Sequence, residues 1–236
     1  MKRIRIIGLC LFVAAAVGGI ASASASAAEP VFLTKTVVKE GVSIPLSATL
    51  GAAFLEGENK SKITCVGGTG TAEITGPKTS KAAITTFTGC ETQGFKCNST
   101  GQAEGVIVTF PLEGHLGAIS ATLPGERLWR EGAKGGELAT FSCAGGAIAV
   151  KVKGSLIGSL SGAAGTDEKT GKLLASGKLS FAEAAGKQKY CKFIEGETQC
   201  EQLEASVSGQ PFEKSGQSVI ATLKTIPATW GLGVTK

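Results

Sequence analysis

Apolar and polar residues alternate with a period of two over much of the chain. In residues 147–153, Ile148, Val150 and Val152 fall on one face, and Lys151 and Lys153 fall on the other. Successive side chains of a β-strand point to opposite faces of the sheet, so this pattern predicts a half-buried strand. Residues 42–50 alternate in the same way, and Pro45 predicts an edge or a bulge there.

Residues 63–116 show the most regular punctuation of strands by turns. The turn signal at Gly76-Pro77 predicts a hairpin between residues 71–75 and 81–88. Residues 106–112 (VIVTFPL) have the strongest strand pattern of the chain, and residues 90–105 are expected to form a polar loop bounded by cysteines.

No stretch after the N-terminal region sustains the 3.6-residue period of a helix. The 34 glycines are scattered at the spacing of turns, which is typical of many short strands. The sequence therefore predicts an all-β protein, a single antiparallel β-sandwich or barrel of about eleven short strands.

The N-terminal region has the three parts of a secretory signal peptide. Lys2, Arg3 and Arg5 are followed by an apolar run over residues 6–20 and by small residues over 21–28. We expect cleavage after Ala27 or Ala28, which leaves an exported all-β domain over residues 29–236. The protein is then secreted or held in the cell envelope, and no later stretch is apolar enough to span a membrane.

Removal of residues 1–28 nearly cancels the net charge. The three basic residues of that region reduce the 24 Lys and Arg to 21, against 19 Asp and Glu, which gives +2. So small an excess excludes the electrostatic footprint of a nucleic-acid-binding protein.

Six cysteines follow the N-terminal region, and an even number in an exported chain predicts three disulfides. The preferred pairs are Cys90 with Cys97, Cys191 with Cys200 and Cys65 with Cys143. The main alternative joins Cys65 to Cys90 and Cys97 to Cys143. No C-x-x-C pair is present and the chain has one histidine, so a zinc site is disfavoured.

The inventory of reactive residues favours a protein that is not an enzyme. One histidine (His115) and one aspartate (Asp167) would have to supply any Ser-His-Asp triad, and no G-x-S-x-G motif is present. The glycine clusters lack the pattern of a phosphate-binding loop. We therefore predict no catalytic residue, no metal and no cofactor.

One charged segment is a candidate binding site. Glu126, Trp129 and Glu131 lie within the sequence ERLWRE, which follows the turn signal Pro124-Gly125. An aromatic ring flanked by charge can line a ligand groove, although a solvated turn with a packed Trp gives the same pattern. Together with Glu113 and Glu137, these glutamates could also supply the paired carboxylates of a hydrolase.

Four motifs resemble those of a known family. They are FTGC at 87–90, KCNSTGQ at 96–102, PLEGHLG at 111–117 and VKGSLIG at 152–158. In this order and spacing they resemble a large set of uncharacterised exported proteins from soil actinobacteria. The resemblance covers about residues 60–160. It implies a bacterial source, export and a β-rich domain, and it transfers no functional residues.

These observations lead to one functional expectation and one alternative. We expect an exported, non-enzymatic β-domain that binds an envelope or extracellular polymer or a small apolar ligand. The alternative is a secreted hydrolase that uses the glutamates near Trp129.

Overall fold

The computed structural model describes residues 29–33, 36–161, 176–194, 200–225 and 233–235. The expected signal peptide, Asp167 and Trp230 lie outside these ranges. In this part of the chain nearly every element is a strand, which confirms the all-β prediction.

The strands close into two rings of antiparallel neighbours. The first ring consists, in order around it, of β2 (Ile44–Leu50), β5 (Gly67–Ile74), β6 (Thr79–Thr88), β10 (Leu112–Ser120), β11 (Leu123–Arg130), β13 (Ile148–Ser161), β14 (Ser176–Phe181) and β16 (Glu213–Thr225), which pairs again with β2. The second ring consists of β3 (Ala53–Gly57), β4 (Lys62–Cys65), β7 (Glu91–Thr92), β8 (Phe95–Asn98), β12 (Glu137–Cys143), β13, β15 (Leu203–Val207) and β16, which closes on β3.

The two rings form one long barrel because β13 and β16 run through both. The N-terminal half of β13 pairs with β12 and β15, and its C-terminal half pairs with β11 and β14. Short breaks, such as Gly51-Ala52 between β2 and β3, divide the other long paths. These breaks give seventeen strands in the described residues, where the sequence suggested about eleven.

Four short elements of the described residues lie outside the two rings. Strand β9 (Ile107–Val108) pairs with β6, and a short 3₁₀ turn, η1 (Ala144–Gly146), joins β12 to β13. Strand β1 (Val31–Leu33) pairs with β17 (Gly233–Thr235). Phe32 and Val38 from the N-terminal segment belong to the same apolar cluster as Ile44 and Ile74 of the first ring.

The strongest predicted strand is shorter than its sequence suggested. Only Ile107 and Val108 of residues 106–112 pair with β6 as a strand before β10 begins. The amide of Thr109 then donates to the carbonyl of Thr85 (2.9 Å), and the amide of Phe110 donates to that of Leu138 (2.8 Å). The backbone thus changes neighbours here, and the following Pro111 has no N–H to continue a ladder.

The sequence suggests a turn around Trp129, but the structure has a strand there. Pro124, Gly125 and Trp129 all lie within β11. A Cβ atom on Gly125 would come within 2.5 Å of the side chain of Ile119 and 2.8 Å of the carbonyl oxygen of Gly158. The glycine therefore permits close packing of strands at this point, and its turn signal was misleading.

One further expectation differs from the structure, because residues 90–105 contain β7 and β8 where a loop was expected. Pro45 pairs with Glu73 of β5, whereas the register between β16 and β2 begins at Leu46. The position that would face Pro45 from β16 follows Thr225 and lies outside the described residues, so the edge or bulge predicted at Pro45 stays a prediction.

The disulfides follow the alternative pairing. Cys65 is bonded to Cys90, Cys97 to Cys143, and Cys191 to Cys200. The preferred pairs Cys90–Cys97 and Cys65–Cys143 were wrong because Cys97 lies directly opposite Cys143 in the ladder between β8 and β12. Their Cα atoms are 4.0 Å apart, so the register of the sheet places the side chain of Cys97 beside that of Cys143.

A segment outside the barrel covers part of its wall. This segment, which we call the strap, consists of residues 182–194 and 200–202 between β14 and β15. The ring of Phe193 packs on Gly117 of β10, and the amide of Ile194 donates to the carbonyl of Ala118 (2.8 Å). Residues of β10 are thus enclosed by the barrel interior on one face and by the strap on the other.

Candidate functional site

The interior of the barrel contains two adjoining cavities. The larger, about 90 Å³, lies within the first ring, and the smaller, about 70 Å³, lies mainly within the second. Their walls share Phe87, Thr109, Leu112, Leu156 and Gln217. An eight-stranded barrel is just wide enough to be filled by side chains or to hold one small ligand.

Strand alternation makes the larger cavity mostly apolar. Strand β16 directs Val219, Ala221 and Leu223 into it, and β14 directs Leu179 and Phe181 into it. All five side chains are buried. Alanine and glycine at other wall positions leave the space that larger side chains would fill.

One ionisable side chain, Glu126, lines these cavities among the residues that the structure describes. Glu126 is 7 % exposed, and its carboxylate Oε1 accepts a hydrogen bond from the hydroxyl of Ser80 (2.5 Å). Burial raises the pKa of Glu126 above its ordinary value, and the bond from Ser80 only partly offsets this effect. Burial at this site therefore disfavours the charged form of the carboxyl group.

Glu126 and Trp129 lie on opposite faces of β11. The indole Nε1 of Trp129 donates to the carboxylate of Glu113 on the outer wall, whereas Glu126 and Leu128 line the interior. Glu131 is exposed just after the strand ends. The structure thus separates the three residues that the sequence grouped into one candidate binding site.

The other candidate acid and base residues are also on the outside. Glu137 is paired with Lys151 (3.0 Å). His115 is exposed on β10 opposite Arg127, and its pKa is lowered by partial burial and by the charges of Lys78 and Arg127. In the described ranges, no group of three or more His, Cys, Asp or Glu side chains is arranged to hold a metal ion.

A polar groove lies where the strap meets β13. Its volume is about 340 Å³, and it is lined by Lys134, Lys153, Ser155, Glu201 and Glu204. Lys134 contacts Glu201 (2.8 Å), Lys153 contacts Glu204 (3.2 Å), and Ser155 donates to Glu201 (2.9 Å). The charges of these side chains neutralise one another and leave none unpaired for a ligand. The contacts of Glu201 with Lys134 and Ser155 hold the strap against the barrel.

The state of Glu201 supports this fastening role. Partial burial would raise its pKa, but hydrogen bonds from Lys134 and Ser155 and the charges of Arg127 and Lys134 outweigh that effect and lower it. Glu201 is therefore ionised at neutral pH and ties the strap to residues of the barrel wall.

Known proteins give no guide to this site. Comparison of the chain with models of protein families, with curated proteins and with solved structures finds no match.

The described residues include no helix with the length and apolar character needed to cross a membrane.

The sequence identified Glu126 as a candidate but grouped it with Trp129 and Glu131 in a charged segment, whereas it lines the interior. Ser80 was not identified. The signal for the true position of Glu126 was the alternation within β11, where Glu126 and Leu128 share a face opposite Arg127 and Trp129. No local signal identified Ser80, because the two residues are 46 positions apart in the chain.

Proposed function

We propose that this protein binds a small apolar ligand inside its barrel and is not an enzyme. The observation that carries the proposal is the incompletely filled interior, with cavities of about 90 and 70 Å³. For comparison, an apolar cavity of about 150 Å³ in another protein binds benzene or xenon. The ligand is accordingly no larger than a few heavy atoms or one small ring.

The closed wall favours this ligand over an envelope or extracellular polymer. A ring of paired strands leaves no open edge through which a long chain could be laid into the interior. A polymer would have to bind the outer wall, where Lys134, Lys153, Glu201 and Glu204 are engaged with one another.

The hydrolase alternative has less support. Glycoside hydrolysis uses two carboxyl groups on either side of the scissile bond. Among the described residues that line the cavities, Glu126 is the single carboxyl group, and Glu113 and Glu131 lie outside the barrel. Hydrolysis of an ester or glycoside substrate by wild type, together with its loss in Glu126→Gln, would support this alternative.

Xenon binding followed by NMR tests the proposed ligand site. Under xenon pressure, we expect saturable shifts of the methyl groups of Leu128, Leu179 and Val219, which line the larger cavity. Ala221→Leu fills the same cavity and should abolish these shifts. Ala149→Leu makes the same change at an exposed position of β13 and should preserve them.

Two results would refute the proposal. One is the absence of shifts for interior methyl groups in wild type, and the other is an unchanged response in Ala221→Leu. Either result would mean that the cavities are too well packed to admit even a small apolar atom.

We also propose that the protein is exported. Its three disulfides are typical of proteins that fold in an oxidising compartment, and the N-terminal region has the pattern of a signal peptide. Mass spectrometry of the protein from culture medium or envelope should show a chain that begins at Ala28 or Glu29. A chain that retains Met1 would contradict cleavage.

A further inference from the structure

We propose that Glu126 and Ser80 form a polar recognition site in the larger cavity, which selects uncharged ligands that carry a hydroxyl group. This inference rests on the proposed binding of small molecules in the interior. It adds the chemical class of the ligand and the atoms that recognise it.

Three neighbouring strands build the site. Ser80 comes from β6 and Glu126 from β11, and β10 lies between them with Gly114. A Cβ atom on Gly114 would lie 2.2 Å from the Ser80 hydroxyl oxygen and 2.5 Å from the Glu126 Oε1 atom. The missing side chain of Gly114 therefore provides the space that the Ser80–Glu126 pair occupies.

The energetics of burial indicate that the carboxyl group is suited to an additional partner. Transfer of a carboxyl group into an apolar interior costs free energy unless its hydrogen-bonding capacity is satisfied. In the described part of the chain, Glu126 has a hydrogen bond from Ser80 to Oε1 and no ion pair. Since Glu126 lines the cavity, a ligand there can form a hydrogen bond with Oε2, which has none with Ser80.

The surroundings favour an uncharged hydroxyl over an ion. An anionic ligand would lie against a carboxyl group with no cation in the described cavity wall to offset its charge. A cationic ligand would lose its hydration in a chamber lined mainly by apolar side chains, where one counter-charge rarely repays that loss. A hydroxyl suits either form of the carboxyl group, because it can donate to a carboxyl oxygen or accept from a protonated one, while the rest of the ligand packs against Leu128 and Leu156.

Phenol and toluene are matched probes for this inference. They share one ring and differ in a hydroxyl versus a methyl group. We would measure both dissociation constants by NMR titration of interior methyl groups in wild type and in Glu126→Met. Methionine has a side chain of similar length, but it leaves the buried Ser80 hydroxyl without its partner and should lower stability. The titration therefore uses variant protein whose methyl spectrum shows the folded state.

We expect the ratio of phenol affinity to toluene affinity to be higher in wild type than in Glu126→Met. Loss of one buried hydrogen bond should reduce the ratio of phenol to toluene affinity by about 5- to 10-fold in Glu126→Met. Glu126→Gln keeps a carbonyl acceptor and should retain most of the preference. Glu131→Met removes an exposed glutamate just beyond β11 and should leave the ratio at its wild-type value.

The outcomes separate this inference from the proposed function. If both probes bind and Glu126→Met leaves the ratio unchanged, the recognition role of Glu126 is refuted while interior binding stands. If neither probe nor xenon binds to wild type, interior binding fails and the recognition site fails with it.

Discussion

The disulfide pairing predicts different stabilities for two double variants. Cys97→Ala with Cys143→Ala removes one disulfide, because these two cysteines are bonded to each other. Cys90→Ala with Cys97→Ala removes two, because each cysteine belongs to a different pair. Cys90, Cys97 and Cys143 are at most 1 % exposed, so the two variants lose similar amounts of packing.

The lengths of the closed loops set the expected magnitudes. The Cys97–Cys143 bond spans 46 residues, for which the restriction of the unfolded chain gives about 4 kcal/mol of stabilisation. The Cys65–Cys90 bond spans 25 residues and gives about 3.5 kcal/mol. We therefore expect a loss of about 4 kcal/mol for the first variant and about 7.5 kcal/mol for the second. The second loss approaches the whole stability of many domains, about 5–15 kcal/mol.

Denaturant unfolding measures both losses, and peptide mapping of alkylated protein identifies the remaining disulfides. In the second variant, Cys65 and Cys143 should both be alkylated as free thiols. A larger loss for the first variant than for the second, together with a Cys65–Cys143 disulfide in the second, would show that Cys90 and Cys97 are bonded to each other and would refute the pairing.

Two further predictions concern pH and the strap. Burial raises the pKa of Glu126 in the folded state, so the stabilisation that this group contributes is complete below its unfolded pKa and is lost as the pH rises through the folded value. The free energy of unfolding of wild type relative to Glu126→Gln should therefore fall as the pH rises above about 4.5, and a difference independent of pH in denaturant titrations would contradict the raised pKa. Gly117→Ala would place a Cβ atom 2.5 Å from the ring of Phe193 and should cost about 1–3 kcal/mol by overpacking. Faster hydrogen exchange at the amide of Ile194 would locate that effect in the strap, whereas unchanged exchange would show that Phe193 does not pack there.

The class of the fold could be predicted from the sequence because strand alternation is a local property. Residues 71–75 and 81–88 formed the predicted hairpin, since the turn between them involves near neighbours. Closure of the rings could not be predicted in the same way. It depends on pairing of β16 with β2 and β3, which lie at the opposite end of the described chain, and a sandwich would show the same alternation.

The candidate site depended even more on distant partners. A glutamate in a charged segment is exposed in most proteins, and ERLWRE gave no sign that Ser80 and Gly114 would surround Glu126. The disulfides show the same limit. Cys90 and Cys97 are close in sequence, but the register of the sheet places each of them beside a cysteine from another strand.

The passage of β13 and β16 through both rings has a consequence for folding cooperativity. Each ring needs these strands for closure, so neither ring can separate as an independent unit while the other stays intact. Separation of β13 from its partners would expose apolar surface in both rings at once. Backbone amides in the centres of these two strands should exchange only through global opening, and the protein should unfold as a single cooperative unit.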